Sequence, residues 1–196
     1  MAKKRAEAKA IKEGIDKPKF DMKSAIYARK DTNKDPLCLF VTGLESSGNR
    51  YLTQILCEMG LEGCSEHEQP FLDNIPTIEE HPRIVIRMSL PHGHQWNHVE
   101  VLDKIEKAGY PIYVLNVVRD YYPCLQSSLI INHIEKEEEK HEQIHKSYEI
   151  LSQIKQEIYP VTYQGLSKPY LYQWLQNRFM LPFPVVTPFK DGDSKW

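Results

Sequence analysis

The stretch LCLFVTGLESSGNRYL, residues 37–52, decides the fold of this chain. Residues 37–42 form a short apolar run between turn-forming residues, which is typical of a strand that is buried on both faces of a sheet. A turn with glycines at positions 43 and 48 follows, and residues 50–59 predict a helix that ends at Gly60. The stretch therefore predicts a strand, a tight loop and a helix in immediate succession.

The rest of the chain continues this alternation. Further strands are predicted at residues 84–86, 112–118 and 161–163. Helices are predicted at residues 96–108, 123–158 and 171–179. Such alternation indicates an α/β fold, a single three-layer domain with a central parallel sheet of four or five strands and helices on both faces. Sheets of this kind bind ligands beyond the carboxyl ends of their strands.

Length and charge limit the classes of function. A chain of 196 residues, 41% hydrophobic and 27% charged, is sufficient for one domain. The net charge of -2 argues against a dedicated nucleic-acid binder or a polybasic membrane binder, and we find no run near the roughly 20 apolar residues of a membrane span. Basic residues outnumber acidic ones in residues 1–35, which predicts a basic N-terminal arm before the α/β domain of residues 36–196.

Two further features bear on compartment and surface. The four cysteines form no CxxC pair, which predicts reduced thiols, a cytoplasmic location and no structural metal. A pairing of Cys57 with Cys64 is the alternative. The charged run at residues 135–142 predicts a solvated helix face, or else the edge of an acceptor groove.

The loop after the first predicted strand carries the first chemical motif. Gly43 and Gly48 have the G-x-x-x-x-G spacing of loops that turn backbone N–H groups toward a phosphate. A nucleotide triphosphatase or kinase would continue with Lys and Ser/Thr, which bind the phosphates and Mg²⁺. Here Asn49 and Arg50 stand in those places. The loop is therefore suited to a phosphate but poorly equipped for Mg-ATP.

A second motif follows the third predicted strand. Arg119 ends that strand and Ser127 lies eight residues further on, in the next helix. An arginine at a strand end commonly forms a salt bridge, here with Asp120. A guanidinium and a helix hydroxyl can instead converge on a second phosphate, to which the guanidinium presents a fork of donors.

These motifs resemble those of the P-loop sulfotransferases that use PAPS (3′-phosphoadenosine 5′-phosphosulfate). The resemblance assigns Arg119 and Ser127 to the 3′-phosphate of PAPS. It assigns to the 5′-phosphosulfate the residues Ser46, Ser47, Gly48, Asn49, Arg50 and Tyr51. Residues 161–166 and the tail 189–196 are similar to two further segments of the family, so the resemblance spans residues 37–196. Many members carry a Lys before Ser-Gly, where this chain has Ser46, so Arg50 or Arg87 would have to supply that charge.

The resemblance also implies candidates for catalysis. Cytosolic members carry Lys-Thr-His-Leu-Pro at the end of the second strand, and Arg87 and Ser89 stand in the places of the lysine and of the catalytic histidine. His92 and His94 lie just beyond, and a histidine is suited to act as a general base near neutral pH. Carbohydrate-type members use a Glu in the segment after the first helix. Glu68, or His67, is accordingly the alternative base.

The resemblance therefore implies a metal-independent sulfotransferase that uses PAPS and releases PAP (3′-phosphoadenosine 5′-phosphate). Its acceptor would be a hydroxyl on a carbohydrate or small molecule. Because the chain is shorter than most members, the part that binds the acceptor must be small or be supplied by the second subunit of a homodimer. The alternatives are a P-loop kinase-type phosphotransferase and a non-catalytic nucleotide-binding or interaction module.

Overall fold

Four parallel strands form the centre of the protein in a computed structural model that describes residues 35–63, 70–91, 97–130 and 134–182. The elements, in chain order, are β1 (Leu37–Leu44), α1 (Asn49–Glu58), α2 (Pro70–Asp73), β2 (Arg83–Leu90), α3 (His98–Lys107), β3 (Ile112–Val118), α4 (Tyr121–Ile130), α5 (Glu137–Gln153), β4 (Ile158–Thr162), a 3₁₀ turn (Tyr163–Ser167) and α6 (Pro169–Phe179). The predicted α/β class and parallel sheet are confirmed. The basic arm lies outside the described residues.

The strand order is β2-β1-β3-β4, with every neighbouring pair parallel. After β1 the chain moves to one side, to β2, and then crosses to the other side, to β3 and β4. Because crossovers between parallel strands are right-handed, this reversal of direction sends the connecting helices to opposite faces of the sheet. In folds of this kind, ligands bind at the carboxyl end of the strand where the direction reverses, which here is β1.

Alternate residues of β1 belong to two separate cores. Leu39 and Val41 pack with α1 and α6 on one face of the sheet. Cys38 and Phe40 pack with α3 on the other face, where α5 contacts both β1 and α3. All four side chains are fully buried, as expected of a central parallel strand. The three-layer arrangement follows from this alternation.

The predicted helix over residues 123–158 is wrong, because the structure has two helices there. Helix α4 begins at Tyr121 and ends at Ile130, and α5 spans Glu137–Gln153. Between them, Lys136 has extended backbone (φ -137°, ψ 156°) and Ile134 is buried. The three glutamates of the first turn of α5 interact favourably with the N-terminal end of the helix dipole. Ile158, placed in the helix by prediction, begins β4 instead.

Other boundaries differ by smaller amounts. Strand β2 is longer than the predicted 84–86, and Tyr163, predicted at the end of a strand, opens the 3₁₀ turn. Cys38 and Cys124 are free thiols, and Cys64, the alternative partner of Cys57, lies outside the described residues. Within the described part of the chain, no helix combines the length and apolar character that crossing a membrane requires.

Candidate functional site

A tight loop at the carboxyl end of β1 leads directly into α1. The amide of Ser47 donates to the carbonyl of Leu44 at 3.0 Å, and the first helical bond runs from the Leu52 amide to the Gly48 carbonyl at 3.1 Å. Ser46 (φ 69°) and Gly48 (φ 97°) are both in the left-handed region. The amides of residues 49–51 therefore form the first turn of a helix, where N–H groups and the helix dipole favour an anion.

The two glycines of this loop are required by close packing. A Cβ at Gly43 would lie 2.5 Å from the carbonyl oxygen of Val117 and 2.7 Å from Ser47 Oγ. A Cβ at Gly48 would lie 2.9 Å from Cδ1 of Leu166. All three distances are shorter than those that real Cβ atoms show, and Gly43 and Gly48 both have positive φ. The glycine spacing seen in the sequence thus reflects a loop pressed against β3 and the 3₁₀ turn.

Asn49 turns its side chain into the protein. Its Nδ2 donates to Ser89 Oγ at 3.1 Å and lies 3.4 Å from the Gly43 carbonyl oxygen, and its Oδ1 accepts the Arg50 amide at 2.8 Å. The side chain is buried and ties the ends of β1 and β2 to the start of α1. Only the backbone of Asn49 is therefore placed to meet an anion, and Ser89, in the family's histidine position, lies directly behind the loop.

Arg119 reaches across from the end of β3 to the same loop. Its Nη1 donates to the carbonyl oxygen of Ser46 at 2.6 Å. Its guanidinium carbon lies 4.2 Å from the centre of the Tyr163 ring, within the range of a cation–π interaction. The carboxylate of Asp120, the suggested salt-bridge partner, accepts instead from Gln164 Nε2 at 3.1 Å. The two motifs found in the sequence therefore meet at one place.

Three side chains from α4 and α5 lie beneath the loop. The thiol of Cys124 donates to the carbonyl of Glu45 at 3.1 Å, and Lys140 Nζ lies 3.3 Å from the same oxygen. Lys140 also donates to Ser128 Oγ at 2.9 Å, and that oxygen is 3.5 Å from Ser46 Oγ. None of these contacts was foreseen. Lys140 was included in a run predicted to be solvated, yet its side chain is fully buried.

The pKa of the Cys124 thiol reports the electrostatics of this region. Burial raises that pKa, as does the negative charge of Glu45, and the positive charges of Lys140 and Arg119 act in the opposite direction. Two cationic side chains thus lie close enough to influence one buried atom beside the loop. Together with the N-terminus of α1, they make this edge of the sheet favourable to a bound anion.

The remaining donor-binding candidates occupy different surroundings. Ser47 is buried, and among the described residues its Oγ has no hydrogen-bond partner. Arg50 is exposed on the first turn of α1. The side chain of Tyr51 packs against the core and bonds to Tyr172, so only its backbone remains for an anion. Ser127 is half-buried on α4, while its neighbour Ser128 makes the contact with the loop.

Among the candidate catalytic residues, only Arg87 is in the described part of the chain. It is half-buried, pairs in register with Val41, and lies two residues before Ser89 on the face covered by α1. Arg87 and Ser89 are therefore separated by roughly 7 Å along β2, and Arg87 is the one further from the loop. His92 and Glu68 lie outside the described residues, as do His94, His67 and the C-terminal segment 189–196.

Within residues 35–63, 70–91, 97–130 and 134–182, no cluster of three or more His, Cys, Asp or Glu side chains could hold a metal ion. Comparisons with protein-family models, curated proteins and solved structures found no match. The chemistry of this edge of the sheet is therefore argued from its own residues.

Proposed function

We propose that this chain is a sulfotransferase that moves a sulfuryl group from PAPS to an acceptor hydroxyl. The observation that carries the proposal is the bond from Arg119 to the Ser46 carbonyl, because it brings the two sequence motifs together. A donor with phosphate groups at both ends of its adenosine requires two neighbouring sets of donors. The backbone amides of Ser46, Gly48, Asn49 and Tyr51 would hold the 5′-phosphosulfate, since those of Ser47 and Arg50 already donate to Leu44 and to Asn49 Oδ1. Arg119 with Ser127 would hold the 3′-phosphate.

The inward orientation of Asn49 supports PAPS over ATP. In P-loop kinases the corresponding residue is a Lys that reaches the β- and γ-phosphates, followed by a hydroxyl that binds Mg²⁺. Here the Asn49 side chain is bonded to Ser89, and the next residue is Arg50. Neither side chain offers a ligand that Mg²⁺ prefers at that position, so the kinase alternative is not proposed.

PAPS supplies an activated sulfuryl group. The acceptor oxygen forms a bond to sulfur while the bond to the bridging phosphate oxygen breaks, and PAP leaves with the bonding electrons. The loop amides and Arg50 would stabilise the charge that develops on the bridging oxygen, and a well-placed donor of this kind contributes about 3 kcal/mol. Arg87 would neutralise the sulfuryl oxygens. His92, or alternatively Glu68, would take the acceptor proton.

The first test is ligand selectivity measured by thermal shift and calorimetry with PAP, ATP-Mg and GTP-Mg. PAP alone should stabilise the protein, by about 2.7 kcal/mol at a concentration one hundred times its Kd. Stabilisation by ATP-Mg with Mg²⁺-dependent turnover would favour the kinase instead. Binding of PAP without conversion of PAPS to PAP on any panel of sugar and small-molecule hydroxyls would favour a binding module.

A further inference from the structure

The ammonium group of Lys140 is buried beside the loop of residues 43–51, which contains no lysine. The side chain is 0% exposed. Its Nζ donates to Ser128 Oγ at 2.9 Å and lies 3.3 Å from the Glu45 carbonyl oxygen and 3.5 Å from Gln143 Oε1. All three partners are neutral oxygens.

Within the described residues, no carboxylate forms an ion pair with this ammonium group. A buried cation is costly unless an opposite charge lies nearby. The Glu45 carbonyl that it contacts belongs to the loop assigned to an anion. The negative charge of Glu45 lies near the adjacent Cys124 thiol. An anion on the outer side of that loop would add opposite charge close to Lys140.

The contact with Glu45 also orients the loop. A trans peptide points its C=O and N–H in opposite directions, so the Ser46 amide is directed away from Lys140. Cys124 holds the same carbonyl from its own helix at 3.1 Å. The peptide between Glu45 and Ser46 is therefore fixed with its donor facing away from α4 and α5.

We propose that Lys140 is a positioning residue for the anion loop, supplying from α5 the positive charge that Ser46, standing in the family's lysine position, does not provide. The proposal rests on the function proposed above and specifies which end of the donor Lys140 serves. Lys140 acts on the 5′-phosphosulfate through the Glu45–Ser46 peptide and through its charge. Arg119 retains the discrimination for the 3′-phosphate.

The test compares PAP with AMP (adenosine 5′-monophosphate), which lacks the 3′-phosphate, on the full chain. Lys140→Met removes the charge with little change in side-chain volume. We expect the Kd for PAP and for AMP to rise at least tenfold by the same factor, so that the ratio of the two affinities is unchanged. Lys146→Met, which removes an exposed lysine from the same helix, should leave both affinities within twofold.

A purely structural role would lower the ligand-free melting temperature and leave the Kd for PAP within twofold of wild type, and that combination would overturn the inference. If Lys140→Met does not fold, the wild-type protein provides the measurement. A buried ammonium exchanges its protons slowly, so the ¹⁵Nζ resonance of Lys140 should be visible and should shift on saturation with PAP. An unshifted resonance on saturation would overturn the inference.

Inorganic sulfate separates this inference from the proposed function. Suppose that the wild-type protein does not bind PAP, but that sulfate shifts the NMR resonance of the Ser46 amide in wild type and not in Lys140→Met. The sulfotransferase proposal then fails and the role of Lys140 stands. If Lys140→Met binds PAP within twofold of wild type, the role of Lys140 fails and the proposed function stands. No response of the wild-type protein to either probe would overturn both.

Discussion

The guanidinium of Arg119 holds the backbone of Ser46, with 2.6 Å between Nη1 and the carbonyl oxygen. These residues are separated by 73 positions in the chain and follow the neighbouring strands β1 and β3. Their contact joins the glycine loop to the end of β3. It also sets Arg119 on the face of Tyr163, so that three chain segments meet around one cation.

Arg119→Ala should weaken PAP binding by about tenfold to one hundredfold, because a hydrogen bond to a charged group is worth about 1.5–3 kcal/mol. The ratio of PAP to AMP affinity should fall as well, since the proposed role of Arg119 is at the 3′-phosphate. Calorimetry with both nucleotides measures these effects.

Arg178→Ala is the matched control for that change. Arg178 also stacks on an aromatic ring, 5.2 Å from the centre of Tyr113, and donates to Tyr159 Oη at 3.1 Å. It lies in the last turn of α6 and contacts neither motif. Its removal should leave PAP affinity unchanged, and wild-type PAP affinity in Arg119→Ala would refute the assigned role.

Gly48→Ala should lower stability and abolish PAP binding. An alanine at φ 97° carries roughly 1–2 kcal/mol of backbone strain, and its Cβ would press on Leu166. Urea unfolding and calorimetry measure the two effects. Gly109→Ala has similar strain at φ 89° but meets only the flexible end of Ile78, so it should reduce stability and spare PAP binding. Equal PAP affinity in the two variants would count against the loop as the anion site.

Asn49→Ala should reduce both stability and PAP affinity. The substitution deprives Ser89 Oγ and the Arg50 amide of a buried partner, at a cost of about 1–3 kcal/mol in unfolding free energy. Asn97→Ala provides the comparison, because Asn97 caps α3 by accepting from the Val99 and Glu100 amides. Its loss should cost about 1 kcal/mol without changing PAP affinity. The idea fails if Asn49→Ala keeps wild-type stability.

His98 should make the protein less stable in mild acid. Burial lowers its pKa from 6.5, with the backbone of Met88 and Ser89 acting in the opposite direction. Below pH 6.5 the unfolded chain binds a proton at this histidine that the native state resists, so stability falls as pH falls. The loss is at most about 1.4 kcal/mol per pH unit.

Urea unfolding of wild type and His98→Gln, at about pH 7.5 and pH 5.5, measures this effect. The variant should lose less stability than wild type over the interval, whatever its stability at the higher pH. An equal loss in both proteins would show that His98 does not titrate differently in the two states.

The strand assignments succeeded where the sequence carries a strong local signal. Residues 112–118 are apolar and rich in β-branched side chains, and the strand has these bounds. The prediction of one helix over residues 123–158 missed the break between α4 and α5, because no proline or glycine marks it. Ile134 is buried at the break, and burial is set by tertiary packing rather than by the local sequence. The contact of Ser128 with Ser46 was not predicted, because the helix rotation that brings Ser128 to the loop is set by packing.

Local pattern by itself determined the alternation of strands and helices, the glycine loop after β1 and the arginine after β3. Each depends on neighbours in the chain, through side-chain periodicity and backbone freedom. Only the tertiary structure decided that the Asn49 side chain bonds to Ser89 and that Arg119 donates to the Ser46 carbonyl. It also decided that Lys140, which belongs to a highly charged run, contacts the Glu45 carbonyl. Those contacts join residues 40 to 95 positions apart. They exist because the strand order places β1 between β2 and β3 and brings the carboxyl ends of these strands together. The alternation in the sequence predicts a parallel sheet, but neither this strand order nor the direction of each side chain.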